Sequence, residues 1–243
     1  MGCRIATDYW NITGWAKIQI TRKNQTMREM SDRSILQQAW NRIHQELPTS
    51  DHPQAEVVAF AEHLRQQWLP GARVLDAGCG RGRNTLYLSQ AGFAVHACDL
   101  SPVAIQAARQ RIQKTSTSVM FQVADLIHLP FPDSWFEAGI CAHVLPYQLR
   151  ADIVHSVREL RRILKPGGWL YLDLLDCDDA EYGCGQELEE HTFGDPDGTP
   201  IHFSTRQEVT ELLRGFARDR VARLELGPRP RVGWIVWAVK SEG

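Results

Sequence analysis

Apolar residues recur at helical spacing twice before any strand signal appears. Ile35, Leu36, Ala39, Trp40, Ile43 and Leu47 form one stripe; Val57, Phe60, Ala61, Leu64 and Trp68 form a second, with Pro48 and Pro53 between them. From residue 73 the period changes, and short apolar runs alternate with amphipathic stretches. The pattern predicts strand 73–77, helix 83–91 stopped by Gly92, strand 93–98, helix 102–114, strand 119–123, strand 136–142, helix 150–164 and strand 169–174. Helix 205–216 follows, with Thr205 and Glu208 spaced as a capping box. Two last runs, 219–226 and 233–239, are separated by Gly-Pro-Arg-Pro and are close enough to pair as an antiparallel hairpin.

Strands alternating with helices specify an α/β fold, a Rossmann-like doubly wound parallel sheet with helices on both faces. Residues 31–243 read as one domain whose two N-terminal helices come ahead of the first strand. Residues 1–30 read as a loosely ordered extension without the apolar core of a signal peptide. One segment breaks the alternation. Residues 176–203 hold nine acidic side chains (Asp176, Asp178, Asp179, Glu181, Glu187, Glu189, Glu190, Asp195 and Asp197) and few apolar ones. Two readings stay open for it: a solvated acidic loop, or a substrate cover over the carboxyl ends of the strands.

The glycine turn carries the chemistry. Residues 74–85 read Val-Leu-Asp-Ala-Gly-Cys-Gly-Arg-Gly-Arg-Asn-Thr, an apolar strand end, then Gly78, Gly80 and Gly82, then a helix start. Such a turn brings bare backbone close to a ligand. A dinucleotide fingerprint would need its third glycine one place later, where Arg83 stands. Asp76 lies in the strand end itself, and Asp99 closes the next apolar run 21 residues after Gly78. Ala124-Asp125-Leu126 ends a third run, and Lys165-Pro-Gly-Gly precedes Trp169-Leu-Tyr-Leu.

In this order and spacing, the four elements resemble the class I S-adenosylmethionine (SAM)-dependent methyltransferases over roughly residues 55–243. The resemblance implies a seven-stranded sheet of order 3-2-1-4-5-7-6 with strand 7 antiparallel. It implies SAM as cofactor and S-adenosylhomocysteine as product. Asp76, Gly78, Cys79, Gly80, Asp99, Leu100, Ala124, Asp125, Leu126 and His143 are the expected cofactor-binding residues, with Asp99 on the ribose and 124–126 by the adenine. Lys165 to Gly168 resembles the turn before the fifth strand, and Glu137 stands where the family usually has aspartate. The run Gly-Arg-Asn-x-x-Tyr-Leu at 82–88 resembles methyltransferases of the tellurite-resistance and thiopurine type, which act on soft chalcogen nucleophiles. A catalytically silent SAM-binding module and an NAD-dependent oxidoreductase are the alternatives; Arg83 argues against the latter.

Methyl transfer needs an in-line arrangement of nucleophile, methyl and sulfur, so the protein's task is largely positioning. In open α/β sheets the carboxyl ends of strands one and four frame the crevice, which places 143–147 near the methyl. His143 is the candidate general base and Tyr147 the candidate substrate contact. Against catalysis, His143 reads as a structural histidine beside the cofactor. A soft, already anionic acceptor needs no base, and no carboxylate is evidently placed to orient the imidazole.

Composition narrows the partners. Twenty-seven Lys and Arg against 29 Asp and Glu give a net charge of −2, with no basic stripe for nucleic acid. Arg158, Arg161, Arg162 and Lys165 fall late in one helix, where they complement its dipole. No run is long enough to span a bilayer. The six cysteines include no Cys-x-x-Cys pair, so no metal site is expected, and buried reduced thiols at Cys98 and Cys141 point to the cytoplasm. The expected partner is a small-molecule methyl acceptor.

Overall fold

Strand β1 (Arg73–Ala77) is buried on both faces, the signature of a central strand in a sheet covered by helices on both sides. In the computed structural model, which describes residues 32–46, 50–67, 70–115, 117–194, 199–226 and 231–242, β1 pairs in parallel with β2 (Ala94–Asp99) and with β4 (Phe136–Cys141). Strand β3 (Val119–Val123) adds outside β2, and β5 (Leu164–Asp176) adds beside β4. Strand β10 (Arg231–Lys240) runs antiparallel to β5, and β9 (Phe216–Leu226) runs antiparallel to β10. The path β3-β2-β1-β4-β5-β10-β9 is the order that the resemblance implies, with its antiparallel strand in the expected place.

Side-chain alternation divides the core. Leu75 and Ala77 pack on one face with Ile153, Val157 and Leu160 of helix α5 (Arg150–Ile163) and Val209 of α6 (Arg206–Leu212). Val74 and Val95 pack on the other with Val57, Phe60 and Leu64 of α2 (Ala55–Gln67) and Leu88 of α3 (Arg83–Gln90). Helix α4 (Pro102–Ile112) joins that second face through Ile105 against Ala97. Its start is doubly fixed, by Pro102 in the first turn and by the Ser101 side chain accepting the Ala104 N–H. Helix α1 (Arg33–Glu46) lies above the carboxyl ends of the strands. The expected extension 1–30, and Leu47 and Trp68 of the two stripes, lie outside the described residues.

Among the described residues the sheet has ten strands, three more than the expected seven. The additional three, β6 (Gln186–Glu189), β7 (Thr192–Gly194) and β8 (Pro200–Ser204), are built from the acidic segment. Strand β5 runs on to Asp176 because Leu175 and Asp176 pair with Phe203 and Ser204 of β8. The segment is also not a solvated loop. Arg223 pairs with Asp176 and Asp178, and Arg231 pairs with Asp179 at 3.2 Å and with Glu181. Asp179 further accepts the Val232 N–H at 2.8 Å, and Glu189 accepts the Arg150 N–H at 2.7 Å. These cations lie some 40–50 positions away in the chain, which is why local composition misread the segment.

Other departures have local causes. The expected turn at Lys165–Gly168 is a kinked part of β5, with a register shift against β4 between Phe136 and Ala138. Glu137 holds the kink by accepting the Arg73 N–H at 2.8 Å and pairing with Lys165. Helix α6 stops at Leu212, short of the expected 216, and Gly215 at φ 85° turns the chain into β9. Arg161 and Arg162 lie in the last turn of α5, as expected, and Arg162 also donates to the carbonyls of Leu129 and Phe131 and to the carboxylate of Glu159.

Arg231→Ala leaves the buried Asp179 carboxylate without its cation. The expected loss is about 3–5 kcal/mol in urea unfolding, with faster proteolysis within 176–194. A loss under ~1 kcal/mol would mean that the segment is held by its strands alone.

Candidate functional site

The site grows from the end of β1. Gly78, Gly80 and Gly82 take φ of 74°, 53° and 81°, left-handed values that side chains resist. A Cβ on Gly78 would stand 2.3 Å from Val144 Cγ2, and one on Gly82 would stand 3.0 Å from Ala108 Cβ. The turn is therefore packed between the loop after β4 and helix α4. Its amides are used in full view of β2: the Gly78 and Cys79 N–H groups bond the Cys98 carbonyl, and the Gly80 N–H bonds Asp99 Oδ2 at 2.8 Å. Asp99 Oδ1 accepts the Ser101 N–H at 2.8 Å. One carboxylate thus ties the glycine turn to the start of α4.

In front of this turn lies a cavity of about 150 Å³. Gly78, Cys79, Gly80, Asp99 and Leu100 form one wall; Asp125, Leu126, His143 and Tyr147 contribute the others. Two expected residues do not line it. Asp76 sits beneath the turn, 1% exposed, accepting the Thr85 hydroxyl at 2.5 Å, and burial pushes its carboxyl up to about 6. Ala124 supports the wall from behind through its N–H to the Asp99 carbonyl at 3.0 Å.

The cavity is closed by an element that no motif marks. Helix α1 lines it with Leu36, Trp40 and His44, whereas no described residue of 176–203 does. Three contacts hold α1 in place. Gln37 donates to the Leu100 carbonyl at 2.8 Å, Ser101 donates to Asn41 at 2.6 Å, and Arg33 bridges Asp125 and Asp152 at 3.0 Å each. Trp40 meets Tyr147 edge to face at 5.5 Å between ring centroids. The amphipathic stripe revealed the helix; nothing in its spacing told which surface it covers.

His143 stands at the carboxyl end of β4 with φ 57°, an uncommon value for a residue with a side chain. Contrary to the expectation from sequence, a carboxylate does face it. Asp173 Oδ1 accepts the His143 N–H at 2.7 Å, and Asp173 Oδ2 lies 3.8 Å from Nε2. The ring nitrogens meet other groups as well. Arg83 Nη2 is 3.3 Å from Nδ1, and a guanidinium can only donate. Gln54 and Asn84 form a reciprocal pair: the Gln54 N–H donates to Asn84 Oδ1, and Asn84 Nδ2 donates to Gln54 Oε1, both at 3.0 Å. That pairing turns the Gln54 Nε2 toward His143 Nε2 at 2.6 Å; a neutral imidazole has a single acceptor nitrogen, so only one of Arg83 and Gln54 donates to the ring at a time. Burial, then Arg83, then Arg231 hold the imidazolium pKa well below 6.5. The ring is neutral at physiological pH and is a poor proton acceptor.

Residues 75–172 match the model of a family described as a methyltransferase domain. The chain is matched there from β1 into β5, across the glycine turn and Asp99. It is 36% identical over 110 residues to a ubiquinone biosynthesis O-methyltransferase of Xanthomonas campestris, a match covering 44% of this chain and 45% of that one. It is 27% identical over 163 residues to the tRNA N(3)-cytidine methyltransferase METTL2 of Gallus gallus, covering 63% of this chain and 44% of that one. The chain thus spans about half the length of the curated relatives it matches. In fold it is similar to a 1,6-didemethyltoxoflavin-N1-methyltransferase of Burkholderia thailandensis, with a TM-score of 0.68 at 20% identity over 92% of this chain and 94% of that one. None of the described helices is long and apolar enough to cross a membrane.

Burial raises the Asp173 carboxyl to about 7 from 3.8. Between those values the folded protein holds a proton that the unfolded chain releases, so this group's contribution to stability falls as pH rises. Asp173→Asn keeps the acceptor for the His143 N–H and removes the titration. Wild type should lose urea-unfolding stability relative to the variant from about pH 4 to pH 7. Parallel profiles would show that Asp173 is ionised throughout.

Proposed function

We propose that this domain binds SAM in the cavity between the glycine turn, Asp99 and α1, and methylates a small acceptor that is already nucleophilic at neutral pH. The observation that carries the reading is Asp99, a carboxylate at the tip of β2 that faces the cavity and is wired to the turn. Its oxygens suit the two hydroxyls of a ribose. Leu100 and Leu126 offer apolar surface for an adenine, and the bare backbone of Gly78 and Gly80 leaves room beside it. When bound, SAM supplies a methyl on a sulfonium for in-line displacement.

The chain's own part is positioning and exclusion of water. Trp40 and Tyr147 close the cavity from α1 and the loop after β4. His143 is held by Gln54, Arg83 and Asp173 and acts as a positioning residue. His44, the other histidine lining the cavity, also has its pKa lowered by burial. With neither imidazole a strong base, the arrangement favours a soft sulfur or chalcogen anion over a hydroxyl that must lose its proton. Arg81, Arg83 and Arg111 on the walls favour an anionic acceptor in the same sense.

Two measurements test this. Thermal shift should show stabilisation by S-adenosylhomocysteine and none by NAD, with Asp99→Asn weakening the affinity by about tenfold or more through lost charge-assisted bonds. Stabilisation by NAD alone would contradict it. His143→Asn keeps a residue that tolerates positive φ. With thiol acceptors it should lower turnover less than ~10-fold; a loss of about 10²–10⁴-fold would make His143 a general base.

A further inference from the structure

We propose that the groove between α5 and α6 is a second binding site, which takes a small organic anion with an apolar body, such as a medium-chain carboxylate. The groove shares no lining residue with the cofactor cavity, so the inference does not depend on the SAM reading. The two helices pack on the sheet through Ile153, Val157 and Val209 and leave between them a cavity of about 300 Å³. Sites for single small molecules begin at about that volume.

The lining has two characters. Val157 and Phe216 of the core reach the groove, and Val154 and Leu212 lie half-buried along it. Apolar surface of this kind gains when a ligand displaces its water. Four arginines and two glutamates line the same groove. Both glutamates are turned to one of those arginines: Arg150 pairs with Glu208 at 2.9 Å and with Glu211 at 3.9 Å. Arg158, Arg161 and Arg214 have no carboxylate partner among the described residues; Arg161 donates to the Arg214 carbonyl at 3.1 Å, which brings the three together. The helix dipole accounts for a cation at Arg161, in the last turn of α5, but not for Arg158 before that turn or for Arg214 beyond α6. Like charges around one recess repel, and an anion relieves them. An inorganic anion would leave the apolar lining wet, and a neutral chain would leave the arginines unpaired. A carboxylate on an alkyl body answers both.

Calorimetric titration of the full chain with octanoate tests this, with acetate and octylamine as comparisons. Octanoate should bind, and decanoate should bind tighter by about fourfold for each added methylene. Acetate lacks the body and octylamine reverses the charge, so neither should bind measurably. The double variant Arg158→Gln/Arg214→Gln should weaken octanoate by at least about fivefold, with no change in the unfolding midpoint, because neither guanidinium has an ion pair to lose. Val154→Glu, at a half-buried position, should abolish binding. Equal affinity for octanoate and octylamine would remove the role of the arginines and overturn the proposal. Octanoate affinity unchanged by both variants would place the ligand elsewhere, and no binding of octanoate or decanoate would leave no such site. A wild type that sediments as a dimer, and as a monomer with Val154→Glu, would assign the groove to a second copy of the chain and overturn it as well.

Discussion

The Asp99 carboxylate is the constraint from which the site is built. One oxygen holds the Gly80 N–H and the other holds the Ser101 N–H, so a single side chain fixes the glycine turn against the second strand and sets the start of the fourth helix. Ser101 then caps that helix and reaches Asn41, which draws the N-terminal helix over the cavity. A disturbance at Asp99 would propagate along each of these bonds. The same carboxylate remains on the cavity wall, where a ligand's hydroxyls can share it.

A second network, deeper in the sheet, sets what chemistry the cavity can host. Asp173 is buried without exposure and receives the His143 N–H and the Tyr171 hydroxyl. His143 in turn meets Arg83 and Gln54 at its ring nitrogens. Such a cluster is costly unless its members satisfy one another. It holds the backbone of His143 in a left-handed conformation at the point where β4 opens toward the cavity. Rigid placement of that corner, at the expense of basicity, is consistent with a site that aligns reactants and leaves proton removal to the acceptor's own acidity.

Much of this was legible in the chain. The alternation of runs from residue 73 foretold a parallel sheet covered by helices on both faces, and the resemblance carried by the glycine turn supplied the strand order. The glycine turn and Asp99 announced themselves by spacing, and both lie on the cavity. What local pattern could not show was pairing across distance. For the acidic stretch a solvated loop and a substrate cover both stayed open, because Arg223 and Arg231, which neutralise it, lie on the last two strands. Asp173 escaped notice because it reads as one polar residue inside an apolar strand, and its partner His143 is 30 positions earlier. The stripe on α1 was plain, but a stripe says that a helix face is covered and not what it covers. Asp76 was grouped with the cofactor residues by motif, whereas its bond to Thr85 places it under the turn.

The central claim is that the Asp99 end of the cavity holds the cofactor's ribose beneath α1. A crystal structure of the chain grown with S-adenosylhomocysteine tests it most directly. The account predicts both ribose hydroxyls within hydrogen-bond distance of Asp99, with the glycine turn unchanged and α1 closed over the nucleoside. Density for the ligand elsewhere, or a ribose turned away from Asp99 with that carboxylate still bonded only to Gly80 and Ser101, would contradict it.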